Sequence, residues 1–134
     1  MAANQETVLN EYDFLVSETD QKGNILFANE DFCRIAEYDV ADLIGKPHNI
    51  VRHSSMPKKA FKSLWDTVQK GETWTGYVKN ATKSGGYYWV FATVYPFESC
   101  DGSLGYLSCR RKATQKEIDE AQALYDVWNK EEAK

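Results

Sequence analysis

From Trp74 to Arg111 the chain reads WTGYVKNATKSGGYYWVFATVYPFESCDGSLGYLSCRR, and this stretch decides the fold. Its apolar and polar residues alternate with a period of two. Ser84-Gly85-Gly86 and Asp101-Gly102 interrupt the alternation, and glycine takes the positive φ that tight hairpin turns require. Three consecutive antiparallel strands are predicted, Trp74–Lys83, Tyr87–Phe97 and Leu104–Arg111.

Upstream, Phe14–Thr19 and Ile25–Ala28 read as two further strands around the turn Asp20-Gln21-Lys22-Gly23-Asn24. Asn29 is a good cap for a short helix through Phe32, Cys33, Ile35 and Ala36, because its side chain can accept from a first-turn amide. A second short turn follows at Val40–Ile44, and Gly45-Lys46-Pro47 breaks the pattern. Pro57 starts a longer helix in which Phe61, Leu64, Trp65 and Val68 recur at helical spacing, ending near Gly71. Two strands, several short helices and a three-stranded meander cannot build a doubly wound parallel sheet. The expected class is α+β, one antiparallel sheet with short helices on one face.

Beyond Ala113 the pattern becomes helical. Thr114-Gln115-Lys116-Glu117 is a capping-box start, and Ile118, Ala121, Leu124, Tyr125 and Trp128 share one face. That apolar stripe must fold back on the domain or pair with another chain. The expected divisions are an N-terminal cap or flexible segment over 1–12, a folded domain over 13–113 and an amphipathic helix over 114–134.

With 134 residues, the chain fits one domain. Sixteen Lys and Arg against 20 Asp and Glu give a formal charge of -4, without basic blocks, so no nucleic-acid partner is expected. Four Trp, 8 Tyr and 6 Phe suit a packed core or a ring-lined pocket. The first residues lack a secretory pattern and the longest apolar run is too short to span a bilayer, so a cytoplasmic location without membrane insertion is expected. Cys33, Cys100 and Cys109 form no C-x-x-C pair and read as reduced thiols. There is no paired-carboxylate motif, phosphate-cradling glycine loop, nucleophile elbow or metal spacing, and no enzyme activity is expected.

Gly45-Lys46-Pro47-His48-Asn49-Ile50-Val51-Arg52-His53, then Met56-Pro57, Trp65, Lys70-Gly71-Glu72, Trp74-Thr75-Gly76, Val78-Lys79-Asn80 and Tyr88-Trp89-Val90, resembles the flavin-binding PAS domain of bacterial aerotaxis receptors and of the separate PAS proteins of bipartite energy-taxis systems. The resemblance runs from about Asp13 into the final helix. It implies a five-stranded antiparallel sheet in the order 2-1-5-4-3 around a cavity holding FAD. It also implies a chemoreceptor signalling module as partner, in the same chain or as a separate membrane receptor, with homodimerisation through the PAS surface or the terminal helix.

Carried over by motif position, Asn29, His48, Arg52, Trp74 and Asn80 are the expected FAD residues. Trp74 offers a face for stacking, Asn80 a donor and an acceptor for the flavin edge, and Arg52 a fork for the pyrophosphate. Asn29 has a competing role as helix cap. Where the family continues Arg-His-Pro-Asp-Met-Pro, this chain has Arg52-His53-Ser54-Ser55-Met56-Pro57, losing a carboxylate that could serve Arg52 or the ligand. No Asn-Cys-Arg motif is present, so blue-light adduct chemistry is not expected. Two alternatives remain at this point: a haem-binding gas sensor with His48 or His53 as axial ligand, and a cofactor-free dimerisation or interaction module.

Overall fold

The Ser84-Gly85-Gly86 turn folds as its glycines dictate, with Gly85 at φ 99°. Thr82 closes the turn early: its N–H donates to Gly86 O and its hydroxyl accepts from Gly86 N. The first meander strand therefore ends at Ala81, two residues before the expected limit. The computed structural model describes residues 5–98 and 100–133. Its strands are β1 (Phe14–Asp20), β2 (Ile25–Ala28), β3 (Trp74–Ala81), β4 (Tyr87–Glu98) and β5 (Leu104–Lys112). All neighbours pair antiparallel, in the order β2-β1-β5-β4-β3, as expected.

Helices α1 (Glu30–Ala36), α2 (Val40–Leu43) and α3 (Lys58–Gln69), with a 3-10 turn at His48–Val51, connect β2 to β3. α1 packs against β1, and α3 against β3 and β4. Between the helices and the sheet lies a core containing Leu15, Ile25, Phe32, Leu43, Val51, Tyr88 and Val90. The aliphatic and phenylalanine side chains among them contribute about 1.5–3 kcal/mol each when fully buried. Residues 5–9 run beside the start of β4, where Thr7 N donates to Tyr87 O and Tyr87 N to Gln5 O, and Leu9 is buried.

The last helix, α4 (Gln115–Glu132), starts at the expected capping box: Thr114 Oγ1 accepts from Glu117 N, and Glu117 Oε1 accepts from Thr114 N. Part of its apolar stripe folds back on the domain, burying Ala121 and Tyr125, while Leu124 stays exposed. α4 lies on the sheet face opposite the other helices, where Tyr125 stacks on Trp89 with ring centroids 6.3 Å apart. The Tyr125 hydroxyl donates to Tyr77 O, and the Tyr77 hydroxyl donates to Glu117. Strand alternation explains why Tyr88 and Trp89 part company: Tyr88 enters the core and Trp89 meets α4.

Candidate functional site

On the helix-covered face, strand alternation points Ser17 and Thr19 of β1, Val78 and Asn80 of β3, Ala92 and Val94 of β4, and Ser108 and Arg110 of β5 in the same direction. Register sets them side by side: Ser17 opposes Ser108, Ala92 opposes Arg110, and Asn80 opposes Tyr88. Facing them are Pro47, His48, Asn49 and Arg52 and, from α3, Phe61, Leu64 and Trp65. The space between encloses about 270 Å³ and opens to solvent. This is near the lower limit of the roughly 300–1,000 Å³ of small-molecule sites. A shallower depression lined by His53, Ser54, Met56 and Lys58 adjoins it and shares Asn49 and Arg52.

Backbone pairing places the wall that carries His48. Ile25 N donates to Lys46 O, and His48 N donates to Gly23 O in the β1–β2 turn. Glycine is favoured there, at Gly23, because its φ is 87° and a Cβ would press at 3.3 Å on Trp65 Cζ2. Trp65 in turn meets Tyr106 edge-on at 5.4 Å, bridging α3 and β5 at the cavity.

Arg110 is buried on the cavity floor. Its Nη2 donates to His48 Nε2 at 2.7 Å and its Nη1 to Ser17 Oγ at 3.0 Å, and its guanidinium lies 5.2 Å from the Phe32 ring centre. Burial lowers its pKa to about 10, which leaves it cationic at neutral pH. Burial first, and the Arg110 charge second, push His48 down to about 3. His48 is therefore neutral. Because a guanidinium only donates, Nε2 must be the accepting nitrogen, and the ring proton resides on Nδ1.

The same floor carries polar atoms with nothing to bond. Asn80 Nδ2 and Ser108 Oγ are buried without a hydrogen-bond partner, and so is the hydroxyl of Tyr88, the cross-strand neighbour of Asn80. The Asn80 amide faces that hydroxyl, but the pair does not reach hydrogen-bonding geometry. Burial raises the Tyr88 pKa to about 12, so the phenol stays neutral. Each orphaned group costs roughly 1–3 kcal/mol, against a net stability of about 5–15 kcal/mol for a typical domain. Two of these, on Asn80 and Ser108, line the floor beside a cation whose hydrogen bonds among the described residues go to neutral groups, which suits a ligand with a polar, hydrogen-bonding edge.

Of the five residues expected from sequence, the cavity brings together His48, Arg52 and Asn80. Arg52 pairs with Asn80 through a backbone bridge, and its guanidinium lies 3.8 Å over the Phe61 ring at the cavity's open side. Asn29 and Trp74 stand apart from the cavity lining. The Asn29 amide serves the fold: Oδ1 accepts from Phe32 N and Val16 N, and Nδ2 donates to Phe14 O. Trp74 donates through Nε1 to Ser63 Oγ on α3 and covers Gly76, where a Cβ would stand 2.5 Å from its Cη2.

Ser55 is used locally: its N–H and hydroxyl bond His53 Nδ1 at 3.0 and 2.8 Å. Burial, then Lys79, lowers the His53 pKa. Arg110, Ser108, Ser17 and Trp65 were not singled out as site residues from sequence. Strand parity was the available signal, since Ser108 and Arg110 share a face with each other and not with Leu107 and Cys109. None of the three cysteines lines the cavity.

The PAS fold family profile matches residues 25–110. The chain belongs to the PAS family. It is 42% identical over 125 residues to the aerotaxis receptor of Escherichia coli (strain K12), a match covering 93% of this chain and 25% of the receptor. It is 29% identical over 106 residues to the nitrogen fixation regulatory protein of Klebsiella oxytoca, covering 78% of this chain and 21% of that protein. The chain thus spans about a quarter or less of the length of these relatives. Among solved structures, a light-oxygen-voltage domain studied with a flavin analogue superposes with a TM-score of 0.67 at 21% identity, covering 90% of this chain and 87% of that one. At that identity the likeness is one of fold. Among the described residues, this PAS domain has no helix long and apolar enough to cross a membrane.

Proposed function

We propose that this PAS domain binds FAD in the cavity and reports redox state, or oxygen and energy status, to a chemotaxis signalling module, in the manner of aerotaxis. The observation that carries the reading is the cavity floor, where Asn80 Nδ2 and Ser108 Oγ lack partners beside the buried cation Arg110. A flavin ring has an edge of alternating acceptors and donors and two flat apolar faces. Asn80, Ser108 and Arg110 suit the edge, while Phe61, Leu64, Trp65, Val78 and Ala92 suit the faces. The adjoining depression with Arg52 and Lys58 suits a diphosphate, which favours FAD over FMN. Similarity to the aerotaxis receptor supports the same assignment.

When bound, the flavin supplies reversible electron uptake. The chain does the rest: Arg110 fixes positive charge where negative charge would gather, and His48, locked as a neutral acceptor, holds Arg110 in place. Residues 13–113 serve as the sensor and 114–134 as the output helix, acting on a chemoreceptor module in the same chain or a separate membrane receptor. Dimerisation through the PAS surface or α4 belongs to the same proposal, as does a sensor without turnover in the cytoplasm. Haem ligation fits less well, because His48 Nε2 already serves Arg110 and His53 Nδ1 serves Ser55.

The test is anaerobic reduction of the FAD-loaded protein, followed by amide exchange and light scattering. Altered exchange in α4 or an altered oligomer is expected. Reduction that changes neither removes the sensor reading.

A further inference from the structure

α3 begins without a cap of its own. Pro57 precedes it and has no capping side chain, so the orphan first-turn amides need an outside acceptor. Glu132, in the last turn of α4, provides one from 74 residues away: Oε1 accepts from Lys58 N at 3.1 Å and Oε2 from Lys59 N at 3.0 Å. One turn earlier, Asn129 Nδ2 donates to Ser55 O at 2.8 Å, and the Lys59 ammonium lies 4.9 Å from the Trp128 ring centre. The two α3 amides hold the Glu132 carboxyl below the usual carboxylate range, and a negative charge is favoured at the positive end of a helix.

These contacts close around the sheet's edge. β3 is one of the two edge strands, with α3 on one face and α4 on the other. The segment joining the cavity to α3 runs along that edge: Arg52 bridges Asn80, and Lys79 N donates to Met56 Sδ. The residues that follow Arg52 out of the cavity are therefore those that α4 grips.

We propose that the last turn of α4 is a latch on residues 55–59, so that the segment leaving the cavity and the docking of α4 on the outer sheet face are set together. By linkage, whatever displaces residues 52–57 loosens α4, and whatever draws α4 away uncaps α3. As an output device the latch rests on the sensor reading; as a contact it is a property of the chain, testable without a chromophore.

The experiment is amide hydrogen exchange on the full chain, comparing wild type with E132Q, the N129A/E132A double variant and E131Q. E131Q removes the same charge one residue away, from a side chain that makes no hydrogen bond or ion pair to α3 among the described residues. The double variant is expected to speed exchange about fivefold, the equivalent of a lost helix cap, both in the first turn of α3 and along 118–133. E132Q is expected to give a smaller change of the same pattern. E131Q is expected to resemble wild type, and β1 and β5 to stay unchanged throughout. Faster exchange confined to the last residues of α4, an equal effect from E131Q, a uniform rise across the sheet, or no change would each overturn the latch. Flavin content read from the same samples decides the cofactor reading separately.

Discussion

Arg110 Nη2 stands 2.7 Å from His48 Nε2, a buried cation donating to a neutral imidazole at the cavity wall. Burial first, and repulsion from Arg110 second, keep His48 neutral, and the pairing keeps Arg110 bonded without neutralising it. The cavity floor thereby keeps a net positive charge.

Replacing Arg110 by Met removes the repulsion that lowers the His48 pKa. The imidazole, held near 3 in the wild type, is expected to titrate at a higher pH in R110M. NMR of the ring carbons across a pH series reads this directly. Flavin content is expected to fall in the same variant.

His48 also makes stability depend on pH. Its folded pKa lies below its unfolded value near 6.5, so the unfolded chain takes up the proton first as pH falls. The contribution is complete above about pH 6.5 and is lost as pH falls toward about 3. Between pH 7 and pH 5 the loss is about 2 kcal/mol, at 1.36 kcal/mol per unit. Urea unfolding at the two pH values measures it, and H48N is expected to flatten the dependence.

Asn80 distinguishes ligand binding from folding. Its Nδ2 has no partner in the fold, so N80L removes an orphaned group that costs roughly 1–3 kcal/mol. The ligand-free variant is expected to melt no lower than wild type while binding FAD at least tenfold more weakly. Calorimetry and a flavin titration give the two readouts.

Gly76 is held to glycine by Trp74. A Cβ there would stand 2.5 Å from Trp74 Cη2, so G76A must displace the indole. A loss of about 1–3 kcal/mol is expected, the usual penalty for overpacking, with a shift in tryptophan fluorescence. W74A/G76A relieves the clash, and its melting temperature is expected to lie above the sum of the single effects.

The sheet order and the two major helices were legible because their signals are local. Glycines at 85 and 102 set the hairpins, and Thr114 with Glu117 caps α4 without help from distant residues. The cavity floor was harder to read because β5 inverts the usual pattern. Leu107 and Cys109 face outward while Ser108 and Arg110 face inward, so hydropathy alone points the wrong side of the strand toward the core. Arg110 is further hidden in the run Arg110-Arg111-Lys112, which looks like a solvated basic stretch.

Trp74 and Asn29 show what local reading does not reach. Neither lines the cavity, and contacts made across the fold engage Asn29 with the backbone of β1 and α1, and Trp74 with Gly76 and Ser63. Such partners, 11 or 13 residues away for Ser63 and Val16, carry no local signature.

The central claim is that the Arg110–Asn80–Ser108 floor holds FAD, and the most direct measurement is the absorption spectrum of the purified chain, followed by release and identification of the chromophore. A yellow protein that releases FAD, and loses it in N80L and R110M, is the predicted result. A protein that is colourless and stays so after incubation with FAD, or one that shows a haem Soret band, would contradict it.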